Sequence, residues 1–193
     1  MPPRLLLNNV SCMRNAQTVL HDINLSVHDG TALVLAGANG SGKTTLLRML
    51  AGFSRPSAGP RGDPLERPRR HLPGHLPAQY KLTVLENVQW FELLEGNDGS
   101  WSGLAIELIG LGRLMNEKAM LSMGQRKRLQ LARLLAIDRP IWLLDEPSVA
   151  LDAEDTALLE YIIAEHRKKG GILFVATQLP IQIDDSESSE SSL

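Results

Sequence analysis

Apolar positions along this chain fall into two kinds of pattern. Residues 19–27 alternate: Val19, Ile23, Leu25 and Val27 are apolar with polar residues between them, the period of a strand with one wet face. After a turn at His28-Asp29-Gly30, residues 31–36 read TALVLA, a near-continuous apolar run that predicts a strand buried on both faces. Residues 141–144 and 172–176 are two further runs of that kind. Between them lie stretches at helical spacing. Residues 43–52 put Leu46, Leu47 and Leu50 on one side, and 84–95 and 101–109 also read as helices. Residues 125–137 turn Leu131, Leu134 and Leu135 inward, and 153–169 is a long helix closed by Gly170-Gly171. Strands alternating with helices predict an α/β fold with a mainly parallel sheet. Residues 83–119 contain helices alone, so they predict an all-helical insert in that sheet domain. Residues 186–193 are Ser/Glu-rich and lack core-forming side chains, which predicts a disordered tail after one domain spanning 1–185.

Composition narrows this picture without changing it. A chain of 193 residues with 43% hydrophobic and 22% charged residues suits one globular domain. A net charge of -2 gives no global reason to expect nucleic acid or an acidic membrane surface as a partner. Cys12 is the single cysteine, which excludes a disulfide within the chain and fits a reducing compartment; it reads as a packed core residue. No apolar run reaches the roughly 18–20 residues that span a bilayer. The first ten residues match neither a signal peptide nor a transit peptide. Any membrane role is therefore expected to come through a partner.

Gly37-Ala38-Asn39-Gly40-Ser41-Gly42-Lys43-Thr44 follows a buried strand and opens a helix. It fits G-x-x-x-x-G-K-[ST], a loop whose glycines let several backbone N–H groups face one anion. The helix N-terminus adds partial positive charge. In this pattern Lys43 reaches the β- and γ-phosphates of a nucleotide and Thr44 binds Mg²⁺. Ile141-Trp142-Leu143-Leu144 runs into Asp145-Glu146-Pro147. A buried strand that ends in two carboxylates delivers them to the sheet edge where α/β proteins bind ligands. Asp145 is the candidate to hold Mg²⁺ and Glu146 the candidate general base for an attacking water.

Leu121-Ser122-Met123-Gly124-Gln125 precedes the basic start of the 125–137 helix. With the glycine-rich loop before it and the Asp145-Glu146 strand after it, this LSxGQ segment resembles that of the ABC ATPases. The resemblance implies the P-loop ABC fold, with a small N-terminal antiparallel β part and a helical subdomain at about 83–120. It implies ATP and Mg²⁺ as ligands and a head-to-tail dimer. In that dimer Ser122, Gly124 and Gln125 meet the nucleotide held by the second copy. Ser148-Val149-Ala150-Leu151-Asp152 resembles the family's dimer-contact loop. A narrower likeness is carried by Asn9-Val10-Ser11-Cys12-Met13-Arg14-Asn15-Ala16, by LSMGQRKRLQLARLLAIDRPIWLLDEPSVALD and by EYIIAEHRKKGGI. These segments resemble the CcmA-type ATPases of cytochrome c maturation in plant mitochondria. That likeness implies an integral-membrane permease partner, a role in c-type cytochrome biogenesis and heme handling, and a peripheral place on the matrix side of the mitochondrial inner membrane.

Three departures from the family pattern bear on activity. Where the family places a γ-phosphate-contacting His after the last buried strand, this chain has Gln178, which can donate a hydrogen bond but carries no charge and shuttles no proton. Reduced turnover with retained binding is the expectation. Where an aromatic side chain stacks on adenine, the nearest residue here is Arg14, read either as a stacking guanidinium or as an ordinary surface residue. Residues 60–82 lack the family's strands and include the Pro/Arg-rich run Pro64-Leu65-Glu66-Arg67-Pro68-Arg69-Arg70. A one-base shift of reading frame over 63–71 permits Ile-Leu-Trp-Asn-Gly, which resembles the family's strand and turn. The alternative is a divergent surface loop, and sequencing the transcript distinguishes the two. Gln79 is the remaining candidate for the loop that senses a permease. Three functions stay open at this point: a transporter ATPase, an ABC protein without transport, and an impaired variant that binds nucleotide unproductively.

Overall fold

The computed structural model describes residues 5–14, 17–38, 40–58, 78–137, 139–149, 151–178, 181–183 and 187–189. They form two compact units. The first holds the described residues up to 58, then 140–147 and those from 163 onward; the second holds 78–139 and 148–162. The irregular stretch at 60–77 and Asn39 lie outside the described residues, as does the side chain of Arg14.

In the first unit, β1 (Leu5–Arg14) pairs antiparallel with β2 (Gln17–Val27), Leu5 opposite Val27 and Arg14 opposite Gln17. Periodicity alone does not reveal β1, because its alternation breaks. The pairing slips between Leu7 and Val10, and Asn9 sits at φ 49° with its N–H donated to Oδ1 of Asn24. This irregularity lets Leu5, Leu7, Val10 and Cys12 all face inward. Burial pushes the Cys12 thiol pKa up, as expected of a core residue.

The parallel sheet contains β3 (Ala32–Ala36), β4 (Ile141–Asp145), β5 (Ile172–Thr177) and β6 (Glu187–Ser189), in the order β4-β5-β3-β6. All six residues of β5 are buried, which is why its sequence reads as an unbroken apolar run. α1 (Lys43–Leu50) lays Leu46, Leu47 and Leu50 into the same core as Leu33, Leu35 and Phe174. Within the stretch 186–193, the described residues Glu187, Ser188 and Ser189 pair with Leu33, Val34 and Leu35. Sheet pairing satisfies backbone N–H and C=O groups whatever the side chains, so an edge of β3 can recruit a polar segment.

The second unit contains α2 (Val84–Leu94), α3 (Trp101–Leu108), a 3-10 turn (Gly112–Leu114), α4 (Met123–Ala136) and the start of α5 (Ala153–Lys168). It is wider than the helical subdomain expected at 83–120, because α4 groups with it. Thr83 and Glu86 form a reciprocal capping box that starts α2. Val84, Val88, Ile106, Ile109 and Leu129 supply its apolar core. Where the first unit buries the polar side chains of Ser11, Lys43 and Thr177, this one buries those of Asn87, Glu92, Ser102, Arg133, Ser148 and Asp155.

Candidate functional site

The candidate residues of the first unit sit at the C-terminal ends of three parallel strands. β3 leads into the glycine loop, which departs from ordinary backbone at three glycines: Gly37 at φ 151°, Gly40 at φ 87° and Gly42 at φ 101°. A side chain at Gly42 would also collide with Leu20, since a Cβ there would lie 2.8 Å from Leu20 Cδ2. Leu20 and Val19 of β2 lie against the loop from behind, and the left-handed backbone at Gly42 favours glycine there. The loop closes on itself. Lys43 is buried, and its ammonium donates to the carbonyl oxygens of Gly37 and Ala38 at 2.6 and 2.9 Å.

Two observations test whether this cradle suits a phosphate and a divalent cation. Ser41 Oγ is buried without a hydrogen-bond partner, although a hydroxyl has both a donor and acceptors to satisfy. A donor left over beside a buried ammonium and a helix N-terminus matches an anion. Thr44 Oγ1, on the first turn of α1, donates to Asp145 Oδ2 at the end of β4, 2.9 Å away. Residues 101 positions apart in sequence thus bring a hydroxyl and a carboxylate together, the hard oxygen ligands that Mg²⁺ prefers. The residues present fit both groups.

Glu146 follows in a strained conformation. Its φ of 47° is left-handed, which a non-glycine residue adopts only where its surroundings enforce it. Its N–H donates to Ala176 O of β5 at 2.7 Å, so the sheet itself turns the chain here. Gln178 then takes both carboxylate oxygens. Its backbone N–H donates to Oε2 and its side-chain amide to Oε1, each at 3.2 Å. Gln178 is the residue expected to donate to a phosphate. In the structure its amide meets the candidate base, a contact that no sequence spacing signals because it depends on the register of β4 against β5.

Ser122, Gly124 and Gln125 lie in the second unit, at the start of α4. Ser122 is the N-cap: its Oγ accepts from Gln125 N–H at 3.2 Å, and Gln125 Oε1 accepts from Ser122 N–H at 2.9 Å. The S-x-x-Q spacing is therefore a capping box in its own right, with Ser122 exposed at the head of the helix dipole. Within this unit Asp152 caps α5 by accepting from Asp155 N–H at 2.8 Å, and Asp155 in turn pairs with Arg128 of α4 at 2.5 Å. Ala150 of the expected dimer-contact loop lies outside the described residues.

Comparison with known proteins agrees with this geometry. The ABC transporter family model matches residues 20–149. Over 95% of its length the chain is 64% identical to ABC transporter I family member 1 of Arabidopsis thaliana, covering 86% of that protein. It is 36% identical to the cytochrome c biogenesis ATP-binding export protein CcmA of Rhizobium meliloti strain 1021, over 97% of each chain. Among solved structures it is similar to a putative ABC transporter ATP-binding protein from Pyrococcus furiosus. The TM-score is 0.80 at 26% identity, over 95% of this chain and 96% of that one. Sequence and fold concur: this chain belongs to the ABC transporter family, as an ATP-binding domain.

Proposed function

We propose that this chain is the ATP-binding and ATP-hydrolysing subunit of an ABC transporter complex acting in c-type cytochrome biogenesis, in heme handling or export. The observation that carries the reading is the run Thr44–Asp145–Glu146–Gln178 along one edge of the parallel sheet. Lys43 holds the β- and γ-phosphates, with the backbone of Gly37, Ala38, Asn39, Gly40, Ser41 and Gly42 around them. Thr44 and Asp145 hold Mg²⁺, which when bound neutralises phosphate charge. Glu146 takes the proton of the attacking water, and Gln178 orients Glu146. Ser122, Gly124 and Gln125 serve the nucleotide of a second copy in a head-to-tail dimer, where a helix start favours an anion.

The wider assignment rests on the relatives' descriptions. A complex of this kind needs an integral-membrane permease, and this chain reaches the membrane through it. Among the described residues no helix is long and apolar enough to cross a bilayer. The matrix face of the mitochondrial inner membrane is the proposed location, supported by the likeness to a plant protein and to bacterial cytochrome c biogenesis proteins. Gln178 favours a second reading, an impaired variant that binds nucleotide without productive transport. Nucleotide binding and phosphate release by the purified protein separate the two. Under the first reading Glu146→Gln keeps MgATP affinity within about twofold and lowers turnover by about 10²–10⁴, the usual contribution of a general base. Parent turnover no faster than that of Glu146→Gln selects the second reading, and absence of MgATP binding defeats both.

A further inference from the structure

The second unit contains a buried polar hub that the nucleotide chemistry does not use. Asn87, on α2, is 1% exposed. Its Oδ1 accepts from Gln79 N–H at 2.8 Å and from Arg133 Nη2 at 3.1 Å. Its amide nitrogen donates to the carbonyls of Gln79 at 3.1 Å, Leu82 at 3.4 Å and Thr83 at 2.8 Å. One side chain therefore grips the main chain of Gln79 from both sides and staples the following turn to α2. Arg133, on α4, is nearly as buried. It donates from Nε to Asn87 O at 3.3 Å and lies with its guanidinium carbon 4.3 Å above the Phe91 ring. Burial lowers its pKa to about 10, so it remains a cation at neutral pH.

What this hub holds is an exposed tip. Gln79, Tyr80 and Lys81 all face solvent, and their base is Asn87. The same turn meets the segment leading to α4 a second time. Ala119 N–H donates to Leu82 O at 3.0 Å, and Val84 N–H donates to Glu117 O at 3.0 Å. The segment from 79 to 85 is thus tied to α4 at both ends: through Ala119, three residues before Ser122, and through Arg133 in the helix body. An apolar side chain in place of Asn87 would take the acceptor from Gln79 N–H and Arg133 Nη2. A fully satisfied polar network specifies one arrangement and resists partial displacement.

We propose that Asn87 is a positioning residue that makes the Gln79–Lys81 tip and the helix headed by Ser122 a single mechanical piece. The proposal rests on the reading above, in which Ser122 serves the nucleotide of a second copy. The test uses Asn87→Asp, which keeps an acceptor for Gln79 and Arg133 but removes the donors to Gln79, Leu82 and Thr83. Hydrogen exchange on the nucleotide-free chain is the first arm. We expect protection to fall about tenfold or more at Gln79 and Leu82, and at Ala119 and the first turn of α4 as well. Loss confined to Gln79 and Leu82 overturns the proposal. The second arm measures ATP-dependent dimerisation of the Glu146→Gln protein by sedimentation. Adding Asn87→Asp should weaken dimerisation about tenfold while the MgATP affinity of the monomer changes less than twofold. Unchanged dimerisation with a loosened tip overturns the proposal, and so does a parallel fall in dimerisation, MgATP affinity and melting temperature. If Glu146→Gln does not dimerise with ATP at all, the proposed function fails, and the exchange arm alone still decides the coupling.

Discussion

The two units of this protein bury different things, and the difference explains how each works. The first packs apolar strands and sends its reactive groups to the ends of those strands: Thr44, Asp145, Glu146 and Gln178 meet where β3, β4 and β5 stop. Chemistry and core are largely separated: residues 172–176 of β5 are apolar, the strand ends on the buried Thr177, and the next residue carries a functional amide. The second unit mixes the two. Asn87, Glu92, Ser102 and Arg133 lie inside it, and Glu92 accepts from Ser102 Oγ at 2.5 Å and from Trp101 N–H at 3.1 Å. An apolar core tolerates many sequences of suitable volume, whereas a polar core is stable only when each member keeps its partners. The first unit is built as a fixed platform, and the second as a part with one specified internal arrangement.

That contrast can be broken by substitution. Phe174→Ala removes the centre of the first core, a side chain fully excluded from solvent. It should cost about 3–5 kcal/mol, read as the shift of a chemical denaturation midpoint. Asn87→Leu is close to isosteric but takes the side-chain acceptor from Gln79 N–H and Arg133 Nη2, while the carbonyls of Gln79, Leu82 and Thr83 keep their backbone donors. Denaturation should show a loss of about 1–3 kcal/mol. A neutral or stabilising result would mean that the polar core of the second unit behaves like an apolar one, and the distinction drawn above would fall.

Two smaller effects sharpen the comparison at the functional ends of each unit. Gln178→His should raise steady-state phosphate release by about tenfold, equivalent to about 1.4 kcal/mol, because an imidazole can relay a proton and carry charge where the amide cannot. An unchanged rate would show that orienting Glu146 is all this position does. Thr83→Ala removes one half of the α2 capping box, whose other half is Glu86. A loss of about 1 kcal/mol is expected, with MgATP affinity unaltered in isothermal titration.

How much of this was legible beforehand differs between the units. The glycine loop, the Asp145-Glu146 pair and the apolar strands could be read directly, since each is a contiguous string whose local geometry follows from its composition. The capping box of Ser122 and Gln125 is likewise a local spacing. β1 could not be read, because its irregular pairing at Asn9 breaks the period of 2 on which strand detection depends. The pairing of the polar tail with β3 could not be read either, because backbone pairing leaves no signature in Glu-Ser-Ser. Asn87 and Arg133 are 46 positions apart, and nothing in either neighbourhood marks them as partners.

The sequence by itself determined the class of fold, the phosphate loop and the two carboxylates, because those depend on residues adjacent in the chain or on simple periodicity. Only the tertiary structure decided which groups meet: Thr44 with Asp145, Gln178 with Glu146 and Asn87 with Gln79 and Arg133. Those meetings follow from strand register and helix packing, where a shift of one residue turns a side chain to the opposite face. A hydrogen bond is strongest with its partners about 2.7–3.2 Å apart, a tolerance that sequence spacing does not convey and a packed core does.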